Sequence, residues 1–155
     1  MKFLLLLFAI VSISQTTEMI SEPIKVKRQF KDQVFEGMNK YHSKYKGNSF
    51  YEANASRNPF LIKTDTLAYK MKFITNANGR LMWDADATFI DYGEYFLCRI
   101  TNIKLLKKSG FMRDVDNTNI PIDEIEDTPF NRAGKTALRN EINDYFKILY
   151  KMSQK

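Results

Sequence analysis

The sequence predicts an α+β protein in which an N-terminal amphipathic helix packs on an antiparallel β-meander and an additional helix ends the chain. Three observations lead to this fold class. Apolar residues recur every three or four positions up to about Gly47, which is the period of a helix with one buried face. They then alternate with other residues, which is the period of a half-buried strand. A helical period returns after Thr128.

Residues 1–14 have the composition of a secretory signal peptide. Lys2 precedes an apolar run that ends at Val11, and the small residues Ser12 and Ser14 follow. The run is shorter than the roughly 20 residues that a helix needs to cross a bilayer. We therefore expect a secreted, extracellular protein without a transmembrane segment, in which residues 15–155 form a single domain.

The composition excludes several classes of function. With one His and one Cys, the chain lacks the ligands of an imidazole or Cys-rich zinc site and cannot form an internal disulfide. We predict no enzyme activity, no cofactor and no metal. The net charge is +6, but the positive charge is spread over both predicted helices, and a secretory leader argues against access to intracellular nucleic acid. A nucleic-acid partner is therefore not expected.

The first predicted helix covers residues 22–46. Ser21 is its expected cap, Pro23 fits its first turn, and Gly47 is a stop signal. Its apolar stripe consists of Val26, Phe30, Val34, Met38, Tyr41 and Tyr45. We expect this stripe to cover the sheet, because it is the apolar surface that lies nearest to the sheet in the sequence.

The meander follows, so that residues 22–106 combine the helix with the sheet. Alternating apolar positions predict strands over residues 67–73 and 81–89, and the turn residues Asn78-Gly79 between them favour a hairpin. Asp91-Tyr92-Gly93 then turns the chain into a third long strand that ends near residue 106.

Other segments are shorter or irregular. Extended pieces are predicted at residues 49–53 and 111–115, and residues 107–127 form an acidic connection. Thr128 and Pro129 begin a helix over residues 128–152, since a hydroxyl cap precedes a proline in the first turn. One face of that helix carries Leu138, Ile142, Tyr145, Leu149 and Met152.

The C-terminal helix is also basic. The candidate contacts with a membrane or a partner are Arg132, Lys135, Arg139, Lys147 and Lys151. A basic amphipathic helix can lie on an anionic membrane, and a membrane-active cationic protein is therefore one alternative. The other interpretation is a surface helix that buries its apolar stripe and leaves its lysines in water.

Two positions are candidates for covalent modification. Cys98 lies in the third predicted strand, where a buried thiol is expected and a disulfide-linked dimer is the alternative. Asn54-Ala55-Ser56 fits the acceptor pattern for N-glycosylation, which predicts an exposed, glycosylated Asn54.

A small acidic group is a weaker candidate site. Asp84 and Asp86 share one strand face and Asp91 follows at the turn, so the three carboxylates could bind Ca²⁺ or act as acid and base. No EF-hand spacing or Gly-rich loop accompanies them. We therefore interpret them as part of a solvated outer face.

The layout of a helix followed by hairpins resembles the cystatin and cathelicidin-prodomain family over about residues 26–106. The resemblance is carried by residues 33–41, residues 49–52 and the long hairpins that follow. It implies a secreted inhibitor of papain-like cysteine proteases. Members of the family usually have two disulfides in the second half, which Cys98 alone cannot form.

The inhibitory motifs of that family are absent. Such inhibitors use Gln-x-Val-x-Gly in a first hairpin loop and Pro-Trp in a second. Here Gln33 and Gly37 enclose Phe35 on a predicted helix, and Trp83 follows Met82 within a strand. The resemblance therefore implies the fold and a binding role more than protease inhibition.

A lipocalin-like carrier is a second family-level alternative. Residues 44–47 and Asp91-Tyr92 resemble the opening and a late turn of lipocalins, although the Gly-x-Trp of that family is missing. Too few residues separate Gly47 from Asp91 for a closed barrel of eight strands. The 12 Phe, 8 Tyr and 7 Met residues either line a cavity for an apolar ligand or form an ordinary hydrophobic core.

These observations predict a secreted, non-catalytic binding protein of cystatin-like architecture. Its expected partner is an extracellular protein, which it contacts through the sheet or its hairpin loops. The alternatives are a small extracellular carrier of an apolar ligand and a cationic protein that acts on membranes through its C-terminal helix.

Overall fold

The computed structural model describes residues 18–47, 60–63, 65–76, 80–109, 114–115 and 119–154. It has a mixed α+β architecture with a C-terminal helix, which confirms the predicted class. The elements in chain order are β1 (Met19–Ile20), β2 (Ile24–Lys25), α1 (Phe30–Ser43), β3 (Phe60–Lys63), β4 (Thr66–Asn76), β5 (Arg80–Asp91), β6 (Tyr95–Ser109), β7 (Asp114–Val115), β8 (Ile120–Pro121), a 3₁₀ turn (Ile122–Glu124) and α2 (Pro129–Met152). The predicted signal peptide, the extended piece at residues 49–53 and Asn54 lie outside the described residues.

The strands form one antiparallel sheet in the order β1-β6-β5-β4-β3, and β2, β7 and β8 also pair with β6. The hairpin of β4 and β5 keeps one register from Thr66 opposite Ile90 to Asn76 opposite Arg80. The register of β5 with β6 shifts twice, and Asn102 in one of these shifts has a φ of 50°. Bulges of this kind bend a strand and increase its twist.

The inner face of the sheet is a filled core. The alternation that predicted β4 and β5 places Tyr69, Phe73 and Phe89 inside, where they are fully buried. The rings of Tyr69 and Phe89 stack with their centroids 5.6 Å apart. Aromatic side chains therefore pack on one another between the sheet and the helices.

α1 is shorter than the predicted helix over residues 22–46, and the prediction was wrong at the N-terminal end. Ile24 pairs with Phe96 of β6 as part of β2, and its side chain is buried. Ser21 does not cap a helix, because its hydroxyl accepts the N–H of Cys98 at 3.0 Å. Pairing with β6 gives the backbone groups of this segment hydrogen-bond partners and buries Ile24. This stabilises the strand more than a longer helix upstream of Phe30 would be stabilised by the apolar spacing alone.

α1 lies against α2, and two of its aromatic rings contact rings of the strands. A Cβ atom on Gly37 would lie 2.5 Å from Cδ2 of Leu149, so the glycine permits the close approach of the helices. At the sheet, the ring of Phe30 lies 5.5 Å from that of Phe96, and the ring of Tyr41 lies 5.8 Å from that of Phe73.

α2 begins as predicted and is part of the core. The Thr128 hydroxyl accepts the N–H of Asn131 at 3.2 Å, and Pro129 occupies the first turn. Four residues of the predicted apolar stripe are buried with the sheet residues in one cluster, namely Leu138, Ile142, Tyr145 and Leu149, and Met152 is buried as well. The acidic connection is more ordered than expected, since it contains β8 and the 3₁₀ turn and buries Ile122 and Ile125.

The side chain of Gln33 is fully buried, and its hydrogen bonds connect the start of α1 to the β2 segment. Its Oε1 accepts the N–H of Lys27 at 3.1 Å, and its Nε2 donates to the carbonyl of Lys25 at 3.0 Å. We expect Gln33→Met to lower the free energy of unfolding by about 1–3 kcal/mol, because both backbone groups lose their partner. Urea denaturation measures the change.

Gln29→Met is the matched control for this substitution. Gln29 is exposed and its side chain makes no cap hydrogen bond. Its replacement should change the free energy of unfolding by less than about 0.5 kcal/mol. Equal losses in the two variants would show that the buried amide of Gln33 does not stabilise this junction.

Candidate functional site

Large hydrophobic side chains remain exposed at a small number of described positions. Their exposed fractions are 54% for Ile20, 39% for Phe35, 53% for Tyr92, 37% for Tyr95 and 48% for Tyr150. Tyr92 and Tyr95 flank the turn between β5 and β6, and we call this pair the tyrosine tip. Ile20 and Tyr150 line an open groove beside α2, which we call the α2 groove.

The tyrosine tip stands on a tight, hydrogen-bonded turn. The N–H of Tyr92 donates to the carbonyl of Tyr95 at 2.9 Å, and the N–H of Gly93 donates to Oδ1 of Asp91 at 2.8 Å. Gly93 has a φ of 90°, which favours glycine at this position. The two tyrosine rings are stacked, with centroids 5.1 Å apart and planes at 17°. The turn thus presents two ordered aromatic rings to solvent.

Charged groups lie along the strands that carry the tip. Glu18 forms an ion pair with Arg99 on β6, with 2.5 Å between Oε1 and Nε. The Glu18 carboxylate, and to a smaller extent Tyr92, raise the pKa of the Arg99 guanidinium. Lys25 is the register partner of Tyr95. Lys25 is therefore the charged residue opposite Tyr95, while the ion pair of Glu18 and Arg99 lies four residues further along β6.

The α2 groove has a volume of about 880 Å³. One wall is the segment of residues 20–24, and the other is the half of α2 from Asn140 to Lys151. Ile20, Phe146 and Tyr150 contribute apolar surface to it, and Lys147 also lines it. This volume falls within the range of about 300–1,000 Å³ that is typical of ligand clefts.

The five cations predicted from the sequence lie on the solvent side of α2, but they have different surroundings. Nε of Arg132 lies 3.3 Å from Oδ1 of Asp127, and Nζ of Lys147 lies 2.9 Å from Oδ1 of Asp144. Lys135 donates to the carbonyl of Ile125 at 3.2 Å. Arg139 and Lys151 have no ion pair among the described residues. Lys147 and Lys151 line the α2 groove.

The acidic group at β5 is a set of cross-strand ion pairs. Asp84 lies 2.8 Å from Lys72 of β4, and Lys70 pairs with Asp86. Burial alone would raise the pKa of Asp86, but the hydrogen bond from Asn102 and the Lys70 ammonium lower it. In the part of the chain that the structure describes, no three metal-ligating side chains come together.

Cys98 is fully buried in β6, where burial raises the pKa of its thiol well above the ordinary value. A disulfide-linked dimer through Cys98 is therefore not supported, because a sulfur without access to solvent cannot reach a second chain. Within the described ranges, no helix has both the length and the apolar composition to cross a bilayer.

The motif-like residues of α1 have structural roles. Gln33 and Gly37 are buried, the first bound to the β2 backbone and the second against Leu149, while Phe35 between them faces solvent. This helical arrangement differs from an inhibitory loop, in which such residues are presented together at a hairpin.

Comparison with known proteins bears on the fold. No family model matches the chain, and no curated protein matches it. The chain is similar to the solved structure of a TBP-like protein from Parabacteroides distasonis, with a TM-score of 0.60 and 11% identity. The match covers 88% of this chain and 92% of that chain. At this identity, the similarity concerns the fold alone.

Sequence reasoning located the turn at Asp91-Tyr92-Gly93 but did not recognise the tyrosine tip. The available signal was an aromatic residue between two turn formers, since a side chain at such a tip has little protein around it to bury it. The α2 groove had no signal in the sequence, because its walls are about 120 residues apart in the chain.

Proposed function

We propose that this chain is a secreted, non-catalytic binding protein of cystatin-like architecture that contacts an extracellular protein through the tyrosine tip. The observation that carries the proposal is the stacked, exposed pair of Tyr92 and Tyr95 on a hydrogen-bonded turn. Tyrosine and arginine are enriched among the residues that dominate protein–protein binding energy. Rings that are already ordered lose little conformational entropy on binding.

The cystatin-like part of the proposal is that α1 packs on the meander of β4, β5 and β6. The contacts of Phe30 with Phe96 and of Tyr41 with Phe73 support it. In that architecture, hairpin turns at one end of the sheet form the binding surface, and the tyrosine tip is such a turn.

Secretion rests on the composition of residues 1–14. The non-catalytic part rests on the residue inventory, because the chain has one His and one Cys and the thiol of Cys98 is buried. A buried thiol with a raised pKa is a poor nucleophile.

The carrier alternative has less support. The aromatic residues that suggested a ligand cavity pack on one another instead, as Tyr69 does on Phe89 and Phe30 on Phe96. An apolar ligand would have to displace these contacts or bind outside the core.

The test begins with the secreted product of the full chain, which should start at Gln15 after leader removal. This product is immobilised and exposed to extracellular fluid of the source organism, in parallel with the double variant Tyr92→Ala/Tyr95→Ala. We expect a captured protein whose affinity falls about 30-fold or more in the variant, since two central tyrosines typically contribute at least about 2 kcal/mol. Quantitative mass spectrometry followed by titration measures this loss.

Phe35→Ala is the matched control, because Phe35 has an exposed aromatic ring on α1, away from the tip. The control should retain the captured protein at wild-type affinity. Capture that is the same in all three chains, or hydrolytic activity in the purified product, would contradict the proposal.

A further inference from the structure

The solvent side of α2 has an excess of positive charge. The helix contains five basic residues and two acidic ones, Glu141 and Asp144. Glu141 is directed to α1, where its Oε1 accepts from the hydroxyl of Tyr41 at 3.0 Å and from Nζ of Lys44 at 2.8 Å. Asp144 therefore remains as the acidic residue of α2 on this side, and it is bound to Lys147. The opposite wall of the α2 groove adds one exposed carboxylate, Glu22, so the excess of positive charge lies on the helix rather than within the groove.

The same side also exposes apolar surface. Ile20 and Tyr150 line the α2 groove together with Lys147 and Lys151, and both are about half exposed. A hydrophilic polyanion would satisfy the cations but leave these two side chains in water. The boundary between the headgroups and acyl chains of a bilayer accepts both kinds of group, with tyrosine at the interface and lysine at the phosphates.

The apolar stripe of α2 is not available to a membrane in the folded protein. Leu138, Ile142 and Leu149 are buried with the sheet. Any contact of α2 with lipid in the folded protein must therefore use the solvent side of this helix, with α2 lying along the surface.

We propose that the solvent side of α2 and the α2 groove dock the folded protein on an anionic lipid bilayer. Arg139 and Lys151 contribute positive charge that no ion pair within the described part of the chain neutralises. Ile20 and Tyr150 enter the headgroup boundary. This surface includes no residue of the tyrosine tip, so its test is independent of the protein-binding proposal.

The experiment measures cosedimentation of residues 15–155 with vesicles of phosphatidylcholine, with and without phosphatidylserine. We expect binding to the anionic vesicles alone, and a loss of binding as salt is raised. Binding that is equal on neutral vesicles, or that is absent from anionic vesicles at low salt, would overturn the proposal.

Two charge variants locate the surface. Arg139→Glu/Lys151→Glu should weaken the partition about 25-fold or more, since each basic residue near an anionic bilayer contributes roughly fivefold. Lys31→Glu/Lys40→Glu changes the net charge equally at exposed positions on α1 and should weaken it by less than about threefold. Equal losses would show that net charge, rather than this face, drives binding.

Tyr150→Ala separates a bilayer from a soluble polyanion. It leaves the charge unchanged, so binding to heparin beads should be unaffected, while partition onto anionic vesicles should fall measurably. If vesicle binding is unchanged in this variant, the surface recognises negative charge alone, and the bilayer proposal is wrong.

Discussion

Ending the chain after Asp127, which removes α2, is expected to abolish cooperative folding. Leu138, Ile142, Tyr145 and Leu149 are fully buried against the sheet. Each such side chain contributes about 1.5–3 kcal/mol when buried, and a whole domain is stable by only about 5–15 kcal/mol. Without α2, the inner face of the sheet also meets water. Far-UV circular dichroism through a thermal ramp should show no cooperative transition.

A chain that ends after Ser153 is the control for this truncation. It keeps all of α2, and among the described residues it loses only the exposed Gln154. Its thermal midpoint should match that of the full chain. A shorter chain that ended at Asp127 and still unfolded cooperatively at that midpoint would mean that α2 is not part of the cooperative core.

Tyr145→Ala is expected to lower the free energy of unfolding by about 3–5 kcal/mol, the usual cost of removing a large aromatic ring from a core. Tyr145 lies at the junction of three elements. Its ring centroid is 5.0 Å from that of Tyr41 on α1, and its hydroxyl bonds that of Tyr69 on β4. Equilibrium unfolding in urea measures the loss, with the slope of the transition showing whether two-state behaviour persists.

Tyr145→Phe isolates the hydroxyl from the ring. It keeps the packing against Tyr41 but removes a partner of the Tyr69 hydroxyl, so a loss of about 0.5–1.5 kcal/mol is expected. If the phenylalanine variant lost as much stability as the alanine variant, the hydroxyl bond would be the dominant contribution, and ring packing at this junction would be minor.

The parts of the fold that the sequence predicted correctly are those in which local pattern and tertiary packing agree. β4 and β5 follow the predicted alternation over residues 67–73 and 83–89, where each inward residue lies opposite an apolar residue of the partner strand. Thr128 and Pro129 form a local helix start, which does not depend on distant residues.

The N-terminal boundary of α1 was predicted wrongly because two interpretations of the same residues compete. Val26 continues the helical stripe, yet its N–H donates to the carbonyl of Glu94 at 2.9 Å, next to the β2 pairing. The strand that accepts this pairing lies about 70 residues later in the chain. Periodicity within one segment contains no information about that partner.

The candidate sites also have features that the sequence predicted and features that it did not. The basic residues of α2 were identified from composition and helical spacing, and they do lie on its solvent side. The direction of Glu141 towards α1 could not be derived from spacing, because it depends on a distant helix. The pair of Lys147 with Asp144 is an i,i+3 contact that helical spacing allows, and both contacts determine which cations keep their charge available.

By itself, the sequence determined the order of helix, meander and helix, because hydrophobic period is a local property of the chain. The tertiary structure decided that α2 belongs to the core, that Gln33 joins α1 to β2, and that Ile20 and Tyr150 share a groove. These features depend on which distant surfaces meet, and that choice is made by the burial of apolar area and the pairing of backbone groups across the whole chain.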